Sequence, residues 1–160
     1  MATIKIMCKY KEGDMLVVLQ SSERNNVGKV GKVIGITNGE ELLDGVYYEL
    51  DCLPGIGFRE NSLIKAHGAD LIREERRRQI EVEGYDQAHD FHHTPQVLCR
   101  AAVGYALHED PEKPLAEAAA SLWPWTRDFW KPKDQLRNLV RAGALIAAAI
   151  DRLQHEQEYR

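Results

Sequence analysis

The sequence predicts an α+β chain in two parts: a small β-barrel, then an all-helical domain of three main helices. Short β-type runs separated by glycine and polar turns occupy the first part, helical periodicities dominate after His67, and Ala66 to Ala69 reads as the junction. The domains are therefore drawn at 1–67 and 70–160, with Asp70 as the candidate cap of the first helix.

The predicted strands are Met15 to Leu19, Gly31 to Ile36, Val46 to Leu50, and Phe58 to Ile64. Gly13-Asp14 leads into the first, and Val27 to Val33 reads as a turn followed by a strand. Glu60-Asn61-Ser62-Leu63 reads as a closing element. With these residues the first part resembles an SH3-like barrel carrying a glycine-centred turn of the KOW type. The resemblance implies a peptide- or RNA-binding barrel or a stabilising appendage, and a core of this size favours packing against a second part.

On a helical projection of residues 70–84, Ile72 and Ile80 fall on one flank and Leu71 and Val82 on the other. Glu75, Gln79 and Glu83 lie between them, Arg76 projects nearby, and Arg73, Glu74, Arg77, Arg78 and Glu81 take the solvent side. Docking by the apolar flanks turns two carboxylates and an amide inward, where they need partners. Gly84 ends the helix. Tyr85, His89, Asp90, His92 and His93 follow directly. This cluster reads either as a buried polar network with Arg76 as its cation, or as a site for an organic ligand or a divalent metal. Neither a His-Glu-x-x-His nor a paired Cys-x-x-Cys signature is present.

Thr94-Pro95 signals the next helix, whose core stripe is Leu98, Ala101, Ala102 and Tyr105. Pro111 and Pro114 break the chain, and Leu115 to Leu122 adds a short alanine-rich helix. The last helix, Pro132 to Leu153, is predicted to pack through Leu136, Leu139, Val140, Gly143, Ile146, Ala147, Ile150 and Leu153, and the polar tail from His155 to fray. Between these helices Trp123, Trp125 and Trp130 stand close to Arg127, Lys131, Lys133 and Asp134. Such rings form a lid over a helical core or stack a planar ligand whose phosphates meet the cations. Combined with Glu75, Gln79, Glu83, Tyr85, His89 and Asp90, the segment would suit a nucleoside or nucleotide.

Composition narrows the classes. A net charge of −4, most of it on the second part, argues against general nucleic-acid binding. No apolar run approaches a membrane span, and the start of the chain lacks the character of a secretory signal. Cys8, Cys52 and Cys99 are read as reduced cytoplasmic thiols.

Several words of the second part occur together: Glu75-Arg-Arg-Arg-Gln79, Glu83-Gly-Tyr85, His89-Asp90, Arg100-Ala-Ala-Val-Gly-Tyr105, Trp123-Pro-Trp125, Trp130-Lys-Pro-Lys-Asp134 and Leu139-Val-Arg-Ala-Gly-Ala-Leu145. In these, residues 70–153 resemble a module of small, mostly uncharacterised phage and prophage accessory proteins of tailed bacteriophages. The Arg-rich helix ending in Glu-Gly-Tyr is also similar to ryanodine-receptor-type repeat domains, although the spacing departs from theirs and Tyr85 stands where a tryptophan is expected. The phage resemblance implies a viral protein of the bacterial cytoplasm, non-enzymatic, that sequesters a nucleotide-like host-defence signal without a cofactor. It also implies a host defence protein as a second partner. Two alternatives stay open: a metal-dependent nucleotide phosphohydrolase using Glu75 and Glu83, and an interaction protein whose barrel contacts a host partner. The aromatic loop and small-residue helices further suggest a homo-oligomer.

Overall fold

The structure, a computed structural model, describes residues 8–38 and 45–158. The first six residues, Met1 to Ile6, and the end of the predicted fraying tail, Tyr159 and Arg160, lie outside them. The chain is mixed α+β and divides into two compact units, 1–70 and 71–160.

The first unit is a five-stranded antiparallel sheet in the order β4-β3-β2-β1-β5, built from β1 Met15–Val18, β2 Val30–Asn38, β3 Val46–Leu50, β4 Leu53–Arg59 and β5 Leu63–Lys65. The long strand β2 serves both halves. Its start pairs with β1 (Met15 opposite Lys32), and after an irregularity between Val33 and Gly35 its end pairs with β3 (Ile36 opposite Tyr48). Alternation along β3 buries Val46, Tyr48 and Leu50 with Leu16, Val18, Val33, Phe58 and Leu63. Gly31 is required where this sheet folds close, since a Cβ there would lie 2.5 Å from Cys52 Sγ and 3.0 Å from Leu50 Cβ.

The predicted strand over Phe58 to Ile64 is corrected. Its first residues belong to β4, which begins at Leu53, and a 3-10 turn at Glu60–Ser62 separates it from β5. Pro54, Gly55 and Gly57 conceal β4 in the sequence, yet an edge strand tolerates them.

Tyr48 is fully buried, and its hydroxyl donates to Glu60 Oε2 (3.1 Å) while accepting the Tyr10 backbone N–H (3.3 Å). Replacing Tyr48 by phenylalanine leaves that buried N–H without its acceptor. The expected loss is about 1–2 kcal/mol, read as a lower urea midpoint at unchanged slope.

Five helices follow: α1 Gly68–Glu83, α2 Gln87–Asp90, α3 Pro95–Ala106, α4 Lys113–Ser121 and α5 Gln135–Glu158. Asp70 is not the cap residue itself. It sits in the first turn of α1 and accepts the His67 backbone N–H at 2.9 Å, the returning half of a capping box. Gly84, at φ 74°, ends α1 as expected. Thr94 caps α3 by accepting the Val97 N–H at 3.4 Å, with Pro95 in the first turn. Leu98, Ala101, Ala102 and Tyr105 are buried along α3.

For α5 most of the predicted packing face is wrong. Val140 is buried, Ala147 is half-buried and Gly143 is met by Ile72 of α1, but Leu136, Leu139, Ile146, Ile150 and Leu153 are exposed, and the helix packs on α3 through Ala142, Ala148 and Ala149. Small side chains let two helix backbones approach closely, so the inner face is the smaller one. The apolar flanks of α1 are split: Leu71 and Ile72 are half-buried, Ile72 against Gly143 of α5, whereas Ile80 and Val82 are exposed and Glu75 and Gln79 between them are buried.

Candidate functional site

Helix α1 presents Glu75 and Gln79 inward one turn apart, 2 % and 8 % exposed. Glu75 is fully engaged. Its Oε1 and Oε2 accept a two-pronged hydrogen bond from Arg78 (3.0 and 2.9 Å), and Arg137 of α5 reaches Oε2 at 2.5 Å. Arg78 also bonds Glu83 at 2.8 Å, so Arg137, Glu75, Arg78 and Glu83 form one alternating chain of charge. Burial pushes the Glu75 carboxyl up, but the Arg78 hydrogen bonds and the charges of Arg137 and Arg78 outweigh it and hold the group below its ordinary range. Arg78 is correspondingly held above its own range, chiefly by its bond to Glu75. The helical projection places the Arg78 Cα toward solvent. Its stem is long enough to fold back over one turn.

Arg76 forms the second network. It donates to the Tyr85 carbonyl (3.0 Å) and to Asp90 Oδ2 (2.5 Å), with Asp151 of α5 at 3.7 Å from its Nε. Asp90 belongs to α2, a single turn capped by Asp86, whose side chain accepts the His89 N–H at 2.9 Å. The other Asp90 oxygen lies 3.4 Å from His89 Nδ1.

A chain of rings begins at the same place. Tyr85 stacks on His89 (4.7 Å between centroids), His89 meets His93 edge-on (5.3 Å), and His93 meets Trp125 (5.2 Å). Trp125 then meets Trp123 (5.1 Å), Trp123 meets Trp130 (4.6 Å), and Trp130 stacks on Tyr105 (5.1 Å). Offset and edge-on pairs of this kind are the favoured aromatic geometries. Burial lowers the affinity of His93 for a proton, and the His89 charge adds to that against the opposing Asp90. The Tyr105 phenol is pushed up, first by burial.

These parts enclose a cavity of about 330 Å³. Of the residues anticipated from sequence, Glu75, Gln79, Glu83, Tyr85, His89, Asp90, Trp123, Trp125 and Lys131 line it. Arg127, Trp130, Lys133 and Asp134 do not. Trp130 backs the ring chain against Gly104, where a Cβ would fall 3.0 Å from its Cζ3. The Lys133 backbone is clamped by buried Asn138, bonded at both its N–H and its C=O (2.8 Å each). Asp134 caps α5 by accepting the Arg137 N–H at 2.9 Å, and Arg127 lies in the 3-10 turn Arg127–Phe129.

Additional lining residues are Arg78, His93, Phe129 and Arg141, with Tyr105, Leu145 and Ala148 in the floor. Arg141 is held by the Lys131 carbonyl and lies over the Tyr105 ring at 5.6 Å. His93 belongs to the histidine cluster read from the sequence, and the three-residue offset of Arg78 from Glu75 is a second usable signal. The others depend on how α5 and the aromatic loop meet.

Glu75 is committed and Glu83 half committed, but Gln79 is different. Among the described residues no protein group bonds its side-chain amide, although it is buried on the cavity wall. A second cavity, about 560 Å³, shares Arg76, Asp90 and Ala148 with the first and is otherwise lined mainly by Gln87, Asp151, Arg152 and His155. Among the described residues no three His, Cys, Asp or Glu side chains converge as a group able to hold a metal. None of the helices described is long and apolar enough to cross a membrane. No protein-family model, curated protein or solved structure matches this chain.

Proposed function

We propose that the helical unit is a binding module for a small nucleotide-like ligand, held in the cavity between α1, α5 and the tryptophan loop. The observation that carries this reading is Gln79, a buried residue on an aromatic wall whose side-chain amide has no protein partner among the described residues and keeps accessible surface at the cavity. An amide whose hydrogen-bonding capacity is unused by the protein at a cavity wall can gain about 0.5–1.5 kcal/mol per bond from a ligand offering a complementary edge. A nucleobase has such an edge, and its flat face suits Trp123 and Trp125. Lys131, Arg141 and Arg78 on the same wall supply cations for phosphate, and the free capacity of Glu83 suits a sugar hydroxyl. Glu75 then acts through Arg78, holding its guanidinium at the wall.

The five-stranded unit is read as an SH3-like barrel of the KOW type, supported by the shared strand β2 and the short closing turn before β5. The resemblance of residues 70–153 to phage accessory proteins supports the wider reading: a phage protein that sequesters a host-defence nucleotide without turnover, with the barrel free to contact a host protein.

The test uses AMP, ADP-ribose and a cyclic dinucleotide as probes in calorimetry, together with mass spectrometry of small molecules released by heat after incubation with a cell extract. Wild-type protein should retain one of these or a related nucleotide, and recover it intact. Gln79→Leu and Trp125→Ala should each weaken retention about 5- to 100-fold. Variants that bind as well as the folded wild type, or a folded wild type that retains no nucleotide, would overturn the reading.

A further inference from the structure

Helix α5 carries two apolar faces, and the helical unit covers one of them and touches the other at Gly143. Ala142, Ala144, Ala148 and Ala149 are buried, while Leu136, Leu139, Ile146, Ile150 and Leu153 remain 40–60 % exposed. A helix apolar on both sides is ordinarily covered on both sides. With Gly143 included, the exposed series steps three, four, three, four and three residues along α5. That spacing is the 3.5-residue repeat of a helix seam made for another helix, sustained over about 25 Å. The one gap in the series is filled from within. A Cβ at Gly143 would lie 2.5 Å from Ile72 Cδ1, so the Ile72 side chain of α1 occupies the notch and keeps the stripe aliphatic.

We infer that this stripe is where a second copy of this chain docks, the two α5 helices running antiparallel about a two-fold axis. The order of the side chains is the argument for a second copy over an unrelated helix. Turned end for end about the step between Ala144 and Leu145, the series maps onto itself. Leu136 then faces Leu153, Leu139 faces Ile150, and Ile146 faces the Gly143 position where Ile72 supplies the surface. Every layer is aliphatic on both sides, the self-complementarity an isologous interface requires. A parallel pairing sets Gly143 against Gly143 and loses that match.

The exposed parts of the five side chains amount to roughly 450 Å² per copy, more than half of the about 800 Å² per partner in a standard interface. This surface lies on the face of α5 away from Arg141, Leu145 and Ala148, which line the cavity, so the inference does not depend on the ligand reading.

Sedimentation velocity of the full chain over a concentration series tests it. The expected result is a reversible shift from monomer to dimer mass, with the dissociation constant raised at least tenfold by Ile150→Glu. Leu153→Lys, near the end of the helix, is the second variant should Ile150→Glu disturb folding by circular dichroism. The register is read by mixing Leu136→Cys protein with Leu153→Cys protein under oxidation. A disulfide joining the two different tryptic peptides, absent when Leu136→Cys protein is oxidised alone, supports the antiparallel pairing. A wild-type chain that stays monomeric throughout overturns the inference, whatever else covers the stripe. So does a dimer that both polar variants leave unchanged, or a cross-link that forms between two Leu136→Cys chains instead.

Discussion

Replacing Asp90 by alanine is expected to destabilise the helical unit by about 3–5 kcal/mol, the cost of leaving a buried cation without its counter-charge. The side chain of Arg76 is only 12 % exposed and that of Asp90 8 %. Once the carboxylate is gone, Arg76 keeps the Tyr85 carbonyl and a long approach to Asp151 at 3.7 Å, with its Nε buried and unbonded. Against a total stability of about 5–15 kcal/mol for a domain, such a loss moves the urea midpoint far toward water. The variant Arg76→Leu/Asp90→Leu removes both charges together and should recover most of the loss, because aliphatic packing replaces a buried pair at little net cost. A coupling of about 2–3 kcal/mol in the double-mutant cycle would show that the pair acts as a unit, and additive losses would refute that.

The pair also shapes the site. Arg76 and Asp90 stand in the walls of both cavities, and the second Asp90 oxygen faces His89, the second ring of the aromatic chain. Loss of the pair should therefore loosen the Tyr85-His89-His93 end of the chain before the tryptophan end. Quenching of tryptophan fluorescence by iodide, compared between wild type and Asp90→Ala below the unfolding transition, reports this directly. Changed access to Trp125 with the rest unchanged is the expected pattern.

What was legible in the sequence follows from which forces act locally. Alternation along Val46 to Leu50 and the caps at Thr94 and Gly84 depend on near neighbours, and the structure has them where the sequence placed them. Glu75 and Gln79 stood out because polar side chains on an inner face demand a partner, and both are buried. Two kinds of feature escaped. Strand β4 is held by pairing to β3 at Leu53 and from Gly57 to Arg59, with Pro54 and Gly55 in the irregularity between, a tertiary effect that overrides poor local propensity. On α5 the rule that the largest apolar residues mark the core selected the wrong side, since contact with α3 depends on how closely the backbones approach. The cation of Glu75 was misjudged for a related reason. A projection places Cα atoms, whereas Arg78 and Arg137 reach the carboxylate with the ends of long side chains.

Removing both of those arginines has the other large expected effect, and pH reveals its origin. In the wild type the Glu75 carboxyl is held below its ordinary value of about 4.3, so the folded state binds its proton less readily than the unfolded state. The resulting stabilisation is complete above the unfolded value and is lost as pH falls through the folded one. In Arg78→Ala/Arg137→Ala the carboxylate stays buried without a cation, burial alone governs it, and its affinity for a proton rises above that of the unfolded chain. The sign then reverses. The variant should be destabilised by about 3–5 kcal/mol at neutral pH, and the deficit should shrink as acid protonates Glu75. Adding Glu75→Gln should remove most of both the deficit and its pH dependence, because a neutral amide replaces the orphaned charge. Urea midpoints for the three proteins between neutral and acid pH separate this account from simple loss of packing, which would lower the variant's curve by the same amount at every pH.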